Sequence, residues 1–555
     1  MALKGTRKRS GQTFMFGAVI LMISNLLVKL IGAVFKIPLQ HLIADEGMAY
    51  FQAAYDIYVS FYMISTAGIP VAISRMIATS NSRGNYKEVE KIFKISYWVF
   101  FIIGALATVL MIGFSKVFAH TADLIGAEWA IIVIAPTLFF ICLSSAYRGY
   151  FQGLQNMVPT GVSQVIESLG KLGIGLIAGG YAISKGYPIY TVAAFVISGV
   201  TIGVVAATVY IAIFKRMFKY AENEAQESVL EVRSTKSLLY ELVIISIPIS
   251  LASSIMGLTN LVDAMLVTSR LTDVWMMTGL DAVKANSIAK NIYGAYSMPK
   301  TLFNMPTTLI YPFAISALPA LSKYYGNGDR EKAKSLMEST FRVSAIVALP
   351  CALGMSAMAH PILSLIFREN QITDTMTNID IVAPCLMVLG LSVFFLGMIS
   401  VTNSVLQAYH FQNHTIISTV LGIIMKIIAT YLLTGIPEVG VVGAAIGTAL
   451  CYFTIMIMNM FFIITKVKLF PGIRKTFLKP FIASVVCIIP CLLIYRCVSG
   501  IISPKITVLA AIAVAAVVYA AVLLLIKGVS ADDIAMLPKS QKIIKILRKA
   551  KLLDE

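Results

Sequence analysis

The chain has 555 residues, 58% of them hydrophobic and 13% charged, and carries a formal net charge of +18 at pH 7; its mean hydropathy is +0.84. That composition excludes an ordinary soluble enzyme and leaves no water-soluble domain of useful size. Nor is the positive charge a nucleic-acid footprint, because it is scattered over short loops instead of gathered on one face.

Read with a window of about twenty residues, the chain resolves into fourteen apolar stretches, each long enough to span a bilayer. They fall at 14–37, 51–77, 95–115, 129–151, 160–181, 189–214, 240–269, 291–321, 341–358, 380–407, 415–435, 440–464, 480–496 and 507–526. The pattern predicts an all-α integral membrane protein. The basic start followed by an apolar run resembles a signal peptide, but the run is too long and has no small-residue cleavage site, so it reads as the first span. With the N-terminus placed inside, 31 of the 45 lysines and arginines lie in inner loops or at inner span ends, and 7 lie outside. That bias predicts both termini in the cytoplasm and a basic inner face drawn to anionic membrane lipids. Trp98, Trp129 and Trp275 fall at span ends, where indole prefers to sit. The seven cysteines lie in or beside spans without a metal-type pair and read as apolar filler.

The pattern repeats. Pro70-Val71-Ala72-Ile73-Ser74 ends the second span and Pro312-Phe313-Ala314-Ile315-Ser316 the eighth; Gly84-Asn85 and Gly326-Asn327 follow at equal distances, each before a charged helical start. Gln152, Thr160 and Lys171 match Gln407, Thr415 and Lys426 at one constant spacing. Spans 1–6 and 7–12 therefore read as two copies of a six-helix unit in parallel orientation, enclosing a central cavity as in transporters. The expected organisation is an N-terminal lobe at 1–215, a cytoplasmic linker at 216–239, a C-terminal lobe at 240–465, two further helices within 466–526 and a basic cytoplasmic tail at 527–555. In the tail, Ile543, Ile544, Ile546 and Leu547 alternate with Lys542, Lys545, Arg548 and Lys549, as in a short amphipathic helix lying on the leaflet; a solvated basic tail is the alternative.

Ionisable groups inside spans are costly and mark cavities. Lys29 lies about 22 Å up the first span at 1.5 Å per residue. Asn25, Lys29, Gly32 and Lys36 share one face of that helix and predict a cationic cavity wall, with snorkelling as the alternative for Lys36. Lys171 and Lys426 are the repeat-related pair; Glu167, one turn before Lys171, offers it an internal ion pair. Lys300 lies between Pro299 and Pro306 on a span that also carries Asn304 and Pro312, which predicts a broken helix. Arg75 sits near the inner end of the second span, where interface anchoring is the alternative. Among the acids, Asp263 with Asn260 one turn away is a candidate site for a coupling cation, Na+ or H+; Asp56 and Glu241 read as wet span ends. Cations outnumber acids, so the spans favour an anion, and phosphate is the natural one. No catalytic set, nucleotide motif or cofactor motif appears; His410 and His414 have metal-pair spacing without a third ligand.

The segment Arg148-Gly149-Tyr150-Phe151-Gln152-Gly153-Leu154-Gln155-Asn156-Met157-Val158-Pro159-Thr160, followed by Ser163-Gln164-Val165-Ile166-Glu167, resembles the fourth-to-fifth-helix region of bacterial polysaccharide-biosynthesis flippases. The resemblance runs over nearly the whole chain. It is nearest the lipid II flippase (MurJ) and stage V sporulation protein B group of the multidrug/oligosaccharidyl-lipid/polysaccharide exporter superfamily. It implies an alternating-access flippase in the bacterial plasma membrane, a monomer whose cations on helices 1, 2 and 8 hold a lipid-linked glycan pyrophosphate. Helices 13 and 14 would form a groove for the lipid tail. Those cations map to Lys29, Lys36, Arg75 and Lys300. The lipid II branch often has arginine where this chain has Lys29, Lys36 and Lys300, which leaves another undecaprenyl-pyrophosphate glycan open beside lipid II. A cation-coupled drug exporter would want buried acids and aromatic walls. A glycan ligase or polymerase would want a catalytic acid or base and a large outer loop, whereas the longest here is about twenty residues near Arg270–Lys290.

Overall fold

A computed structural model describes residues 3–66, 68–218, 231–373, 375–472, 474–498 and 503–530. The predicted amphipathic tail and the glutamates Glu222, Glu224 and Glu227 of the linker lie outside them. The described residues are almost wholly helical. In chain order the helices are α1 (Leu3–Thr66), α2 (Ile69–Ser82), α3 (Tyr86–Gly113), α4 (Ser115–Thr121), α5 (Ala127–Ile134), α6 (Pro136–Gly153), α7 (Val158–Ser184), α8 (Ile189–Met217), α9 (Thr235–Met277) and α10 (Ala282–Gly326). They continue as α11 (Arg330–Ala357), α12 (Ala359–Ile366), α13 (Asn378–Ala408), α14 (Gln412–Thr434), α15 (Val442–Phe462), α16 (Lys479–Val498) and α17 (Pro504–Leu525). Ten stretches among the described residues are long and apolar enough to cross a membrane, the first of which, Ile23–Ser82, takes in two expected spans. The other three expected spans fall on α7, α9 and α10; the number fourteen rests on the sequence pattern.

Three expectations change. The loop expected between the first two spans is absent: α1 runs through it and turns at Ala44, whose φ is 51°. Sixteen residues of straight helix measure about 24 Å, yet Lys36 Nζ lies 3.0 Å from Gln52 Oε1. The two arms of α1 are therefore an antiparallel pair folded at one residue. The proline-rich eighth span is one continuous helix, α10. Hydroxyl and amide side chains bond locally to its backbone, Thr301 to the Ser297 carbonyl, Asn304 to the Lys300 carbonyl and Thr307 to the Asn304 carbonyl. Such bonds let membrane helices carry proline. The long outer loop near Arg270–Lys290 shrinks to the few residues between α9 and α10, because both helices extend beyond the apolar stretch.

The repeat survives in local structure, with its register adjusted. Asn85 caps α3 by accepting from the Glu88 amide, and Asp329 caps α11 by accepting from the Lys332 amide. Each cap follows a glycine at positive φ, Gly84 at 72° and Gly328 at 71°. The structural counterpart of Gly84-Asn85 is thus Gly328-Asp329, two residues beyond the sequence match. Both capped helices are 28 residues long, and a short helix follows each.

The chain divides into two compact units, Met1–Thr272 with Gly279–Gly294, and Asp273–Thr278 with Ala295–Glu555. In the first unit, Ile73, Ile77, Phe93, Tyr150, Phe151 and Leu238 form the core at one end. Here α7 and α8 touch backbone to backbone: a Cβ on Gly170 would stand 2.3 Å from Gly203 Cα. Most of α9 belongs to this unit, tied in by Ser60 Oγ donating to the Gly257 carbonyl at 2.8 Å. In the second unit, Leu321, Met337, Phe341, Val401, Val405 and Ile463 form the main core. Its α14 and α15 approach closely at Gly447, where a Cβ would meet Thr430 Oγ1 at 2.4 Å.

Candidate functional site

The hairpin of α1 builds a polar array in the first unit. Lys36 donates to Gln52 Oε1 at 3.0 Å, Gln52 Nε2 donates to Asp56 Oδ1 at 2.7 Å, and the Tyr293 hydroxyl donates to Asp56 Oδ2 at 3.5 Å. Ser60 Oγ also donates to the Asp56 carbonyl, and at the apex Gln40 donates to Asp45. The helical repeat sets this arrangement: Gln52, Asp56 and Ser60 are one turn apart on one arm, facing Lys36 on the other. Asp56 is 4% exposed. It is a buried member of this network, not the wet span end that its position suggested.

Lys171 lies beside that array. Its Nζ stands 4.2 Å from the centroid of the Tyr55 ring, 5.0 Å from Phe35 and 5.9 Å from Phe51. Phe35 and Tyr55 are the chain neighbours of Lys36 and Asp56, so adjacent faces of the same hairpin carry a polar chain and an aromatic cage. Lys171 is half-buried, and an ammonium over aromatic faces there gains about 0.5–2 kcal/mol. The expected Glu167–Lys171 pair does not form: Glu167 binds Arg148 Nη2 at 3.1 Å, and Arg148 Nε donates to Ser163 at 3.0 Å. The arginine reaches across from α6 with a planar fork suited to a carboxylate.

Asn25 and Lys29 are exposed, as are the apolar Leu26, Leu27, Leu30 and Val34 around them, whereas Ser24 and Phe35 are buried. Arg75 is exposed on α2 and lies outside the Lys36 network. Asp263 is 1% exposed on α9, with Asn260 half-buried one turn before it. Sequence reasoning overlooked Lys290, whose Nζ lies 5.6 Å from the Tyr50 ring centroid.

In the second unit, Lys300 Nζ stands 5.8 Å from the Tyr296 ring centroid, and its carbonyl is held by Asn304. Lys426 is 2% exposed on α14, unlike its repeat mate in the aromatic cage. An apolar cleft of about 340 Å³ opens between α11, α13 and the start of α16, lined by Leu349, Leu353, Phe394, Phe395, Phe477 and Phe481.

At one end of the first unit, Arg233 ties the linker's end to α3 and α9. It donates to Glu88 through Nε at 3.1 Å and Nη2 at 2.9 Å, and to Glu241 through Nη1 at 2.5 Å. The Glu88 carboxylate, with Glu241, pushes the Arg233 guanidinium above its ordinary pKa.

Residues 15–325 match the polysaccharide biosynthesis protein family. The chain belongs to that family. Residues 248–432 also match the MatE family. Stage V sporulation protein B of Bacillus subtilis is 23% identical, covering 95% of this chain and 98% of its own length. Lipid II flippase MurJ of the same organism is 22% identical, covering 79% and 80%. Among solved structures, the inward closed conformation of lipid II flippase MurJ superposes with a TM-score of 0.64 at 16% identity, over 92% of this chain and 98% of that one. An inward-facing MATE family multidrug resistance transporter of the MOP superfamily gives 0.60 at 13% identity, over 79% and 97%. The fold is thus that of the MOP transporters, and the chain is a multi-pass membrane protein.

Proposed function

We propose that the protein is a flippase that carries an undecaprenyl-pyrophosphate-linked cell-wall precursor, with lipid II first among the candidates, from the inner to the outer leaflet by alternating access. The observation that carries this reading is the set of lysines within apolar helices, above all Lys36 at the head of a buried polar chain, in a protein related along its length to stage V sporulation protein B. An ammonium in that setting binds a pyrophosphate as a point charge and releases it again. Lys29, Lys36, Arg75 and Lys300 are assigned to the pyrophosphate, with Asn25, Lys171 and Lys426 supporting it. The apolar cleft beside α16 suits a prenyl tail. The setting is the bacterial plasma membrane, with both termini cytoplasmic, anionic lipids against the basic inner face and a monomer as the working unit.

The test is complementation of a conditional lipid II flippase mutant, with lipid II exposure read at the outer leaflet. Restored exposure supports the reading. Failure by a well-expressed protein, with rescue of a mutant lacking a different lipid-linked glycan flippase, moves the substrate to that glycan. A second reading is favoured by the buried Asp263 and by the MATE neighbour: a cation-coupled drug exporter in which Asp263 and Asn260 hold Na+ or H+. Tight binding of a hydrophobic cation, eliminated by Asp263→Asn and untouched by Lys29→Ala, selects it.

A further inference from the structure

Helix α11 runs from Arg330 to Ala357 with Pro350 inside it. Proline has no amide hydrogen, so the Ile346 carbonyl, four residues back, loses the amide it would accept from in an α-helix. Within an apolar span such a carbonyl is costly unless another donor reaches it. The donor comes from α17: the Tyr519 hydroxyl donates to the Ile346 carbonyl at 2.7 Å. From Val508 to Leu525, Tyr519 is the single residue that is not alanine, valine, leucine or isoleucine. One turn before Ile346, Arg342 Nη2 donates at 2.8 Å to Ser530 Oγ, just past the end of α17. The part of α11 before the proline is thus held by α17 and the residues after it. The part beyond the proline is tied to α13, where Ser356 Oγ donates to the Met387 carbonyl at 2.7 Å.

The apolar cleft sits on this joint. From α11 it takes Leu349, Ala352 and Leu353, which straddle Pro350, and from α13 Leu391, Phe394 and Phe395. A helix short of one hydrogen bond at a proline bends there. Because the two parts of α11 are tied to different helices, that bend sets the shape of the cleft wall. Tyr519 does not line the cleft.

We propose that Tyr519 is a positioning residue for the cleft: by supplying the hydrogen bond that Pro350 cannot, it fixes the bend of α11 and with it the wall against which a prenyl tail packs. This rests on the reading that the cleft takes that tail.

The test is a double-mutant cycle on the full-length protein in detergent, with undecaprenyl pyrophosphate and inorganic pyrophosphate as probes and the thermal midpoint as the folding control. Tyr519→Phe weakens undecaprenyl pyrophosphate binding about threefold to fivefold, the equilibrium weight of one net hydrogen bond, and leaves inorganic pyrophosphate binding unchanged. The same hydroxyl also has Ser484 of α16 as a partner, so the single change does not isolate the bond to Ile346. Pro350→Ala does, because it returns an amide to the helix: most of the loss from Tyr519→Phe disappears in that background. Pro350→Leu supplies the same amide should Pro350→Ala fail to fold. Leu391→Trp fills the cleft from α13 without touching the joint and weakens binding of undecaprenyl pyrophosphate alone. An equal loss from Tyr519→Phe in both backgrounds, a parallel loss for inorganic pyrophosphate, or no loss in the parent overturns the positioning role, while the cleft keeps the tail if Leu391→Trp still weakens binding. No effect of Leu391→Trp overturns the placement of the tail on which the proposal rests.

Discussion

Two glycines on α7, less than one turn apart, make a controlled test of how that helix is held. A Cβ on Gly170 would lie 2.3 Å from Gly203 Cα and 3.0 Å from Gly203 N, both backbone atoms, whereas a Cβ on Gly173 would meet nothing within 4 Å. Ordinary contact begins at 3.4 Å, so alanine at 170 requires α7 and α8 to separate by about 1.1 Å. No rotamer relieves the clash, because both partners are backbone. Each Gly→Ala change gains about 1 kcal/mol of helix propensity. Gly173→Ala keeps that gain, while Gly170→Ala sets it against an overpacking cost of about 1–3 kcal/mol and the lost contact along the helix pair. The two variants should therefore differ by about 1–3 kcal/mol, with Gly173→Ala at or above the parent. The assay is the thermal midpoint of the detergent-solubilised protein, read by size-exclusion chromatography after heating. Gly170→Ala should also lower complementation, since α7 carries Glu167 and Lys171 into their sites. Equal midpoints for the two alanine variants would refute the close approach of α7 and α8.

Lys29→Ala should abolish complementation with membrane expression intact, measured by growth and immunoblot; full rescue would remove Lys29 from the mechanism. Ser228→Cys and Ser540→Cys, in a background without native cysteines, should resist an impermeant thiol reagent in intact cells, and ready labelling from outside would reverse the topology. Arg233→Gln leaves the Glu88 carboxylate, which is 5% exposed, without its guanidinium. Because Arg233 is itself 35% exposed, the cost is set at about 1–2 kcal/mol, below the buried-pair range. It should appear as faster proteolysis of the linker, and an unchanged cleavage rate would show that the Glu88–Arg233–Glu241 cluster does not restrain it.

The helices were legible because a bilayer imposes one strong rule, about twenty apolar residues per crossing. The same rule says little about where a helix ends. Hydropathy read 38–50 as a loop, since Pro38, Gln40, Asp45 and Glu46 interrupt the apolar run. The chain instead keeps those residues helical on both sides of a turn confined to Ala44, with Gln40 bonded to Asp45. The same error hid the break at Ala135–Pro136, which splits one expected span into α5 and α6. Proline in α10 was misjudged in the opposite direction, because the hydroxyls and amide that bond to its backbone lie at ordinary helical spacing and look unremarkable in sequence.

The charged site shows the limit more sharply. Lys36 was legible because a lysine in an apolar span is anomalous by itself. Asp56 was not, because its partner Gln52 also meets Lys36, sixteen residues away from Gln52 across a fold that periodicity does not register. Glu167 was assigned to the wrong partner for the same reason. Local spacing offered Lys171 one turn away, while the structure brings Arg148 from the preceding helix and gives Lys171 to Phe35, Phe51 and Tyr55. In a membrane the penalty for an unpaired charge forces every ionisable group to find a partner, and the nearest in sequence has no privilege over the nearest in space. A count of cations and acids therefore establishes that the interior is built around charge, but which charges are already engaged decides what a ligand meets. In the first unit the acids Glu167 and Asp56 are engaged by Arg148 and by Gln52 with Tyr293.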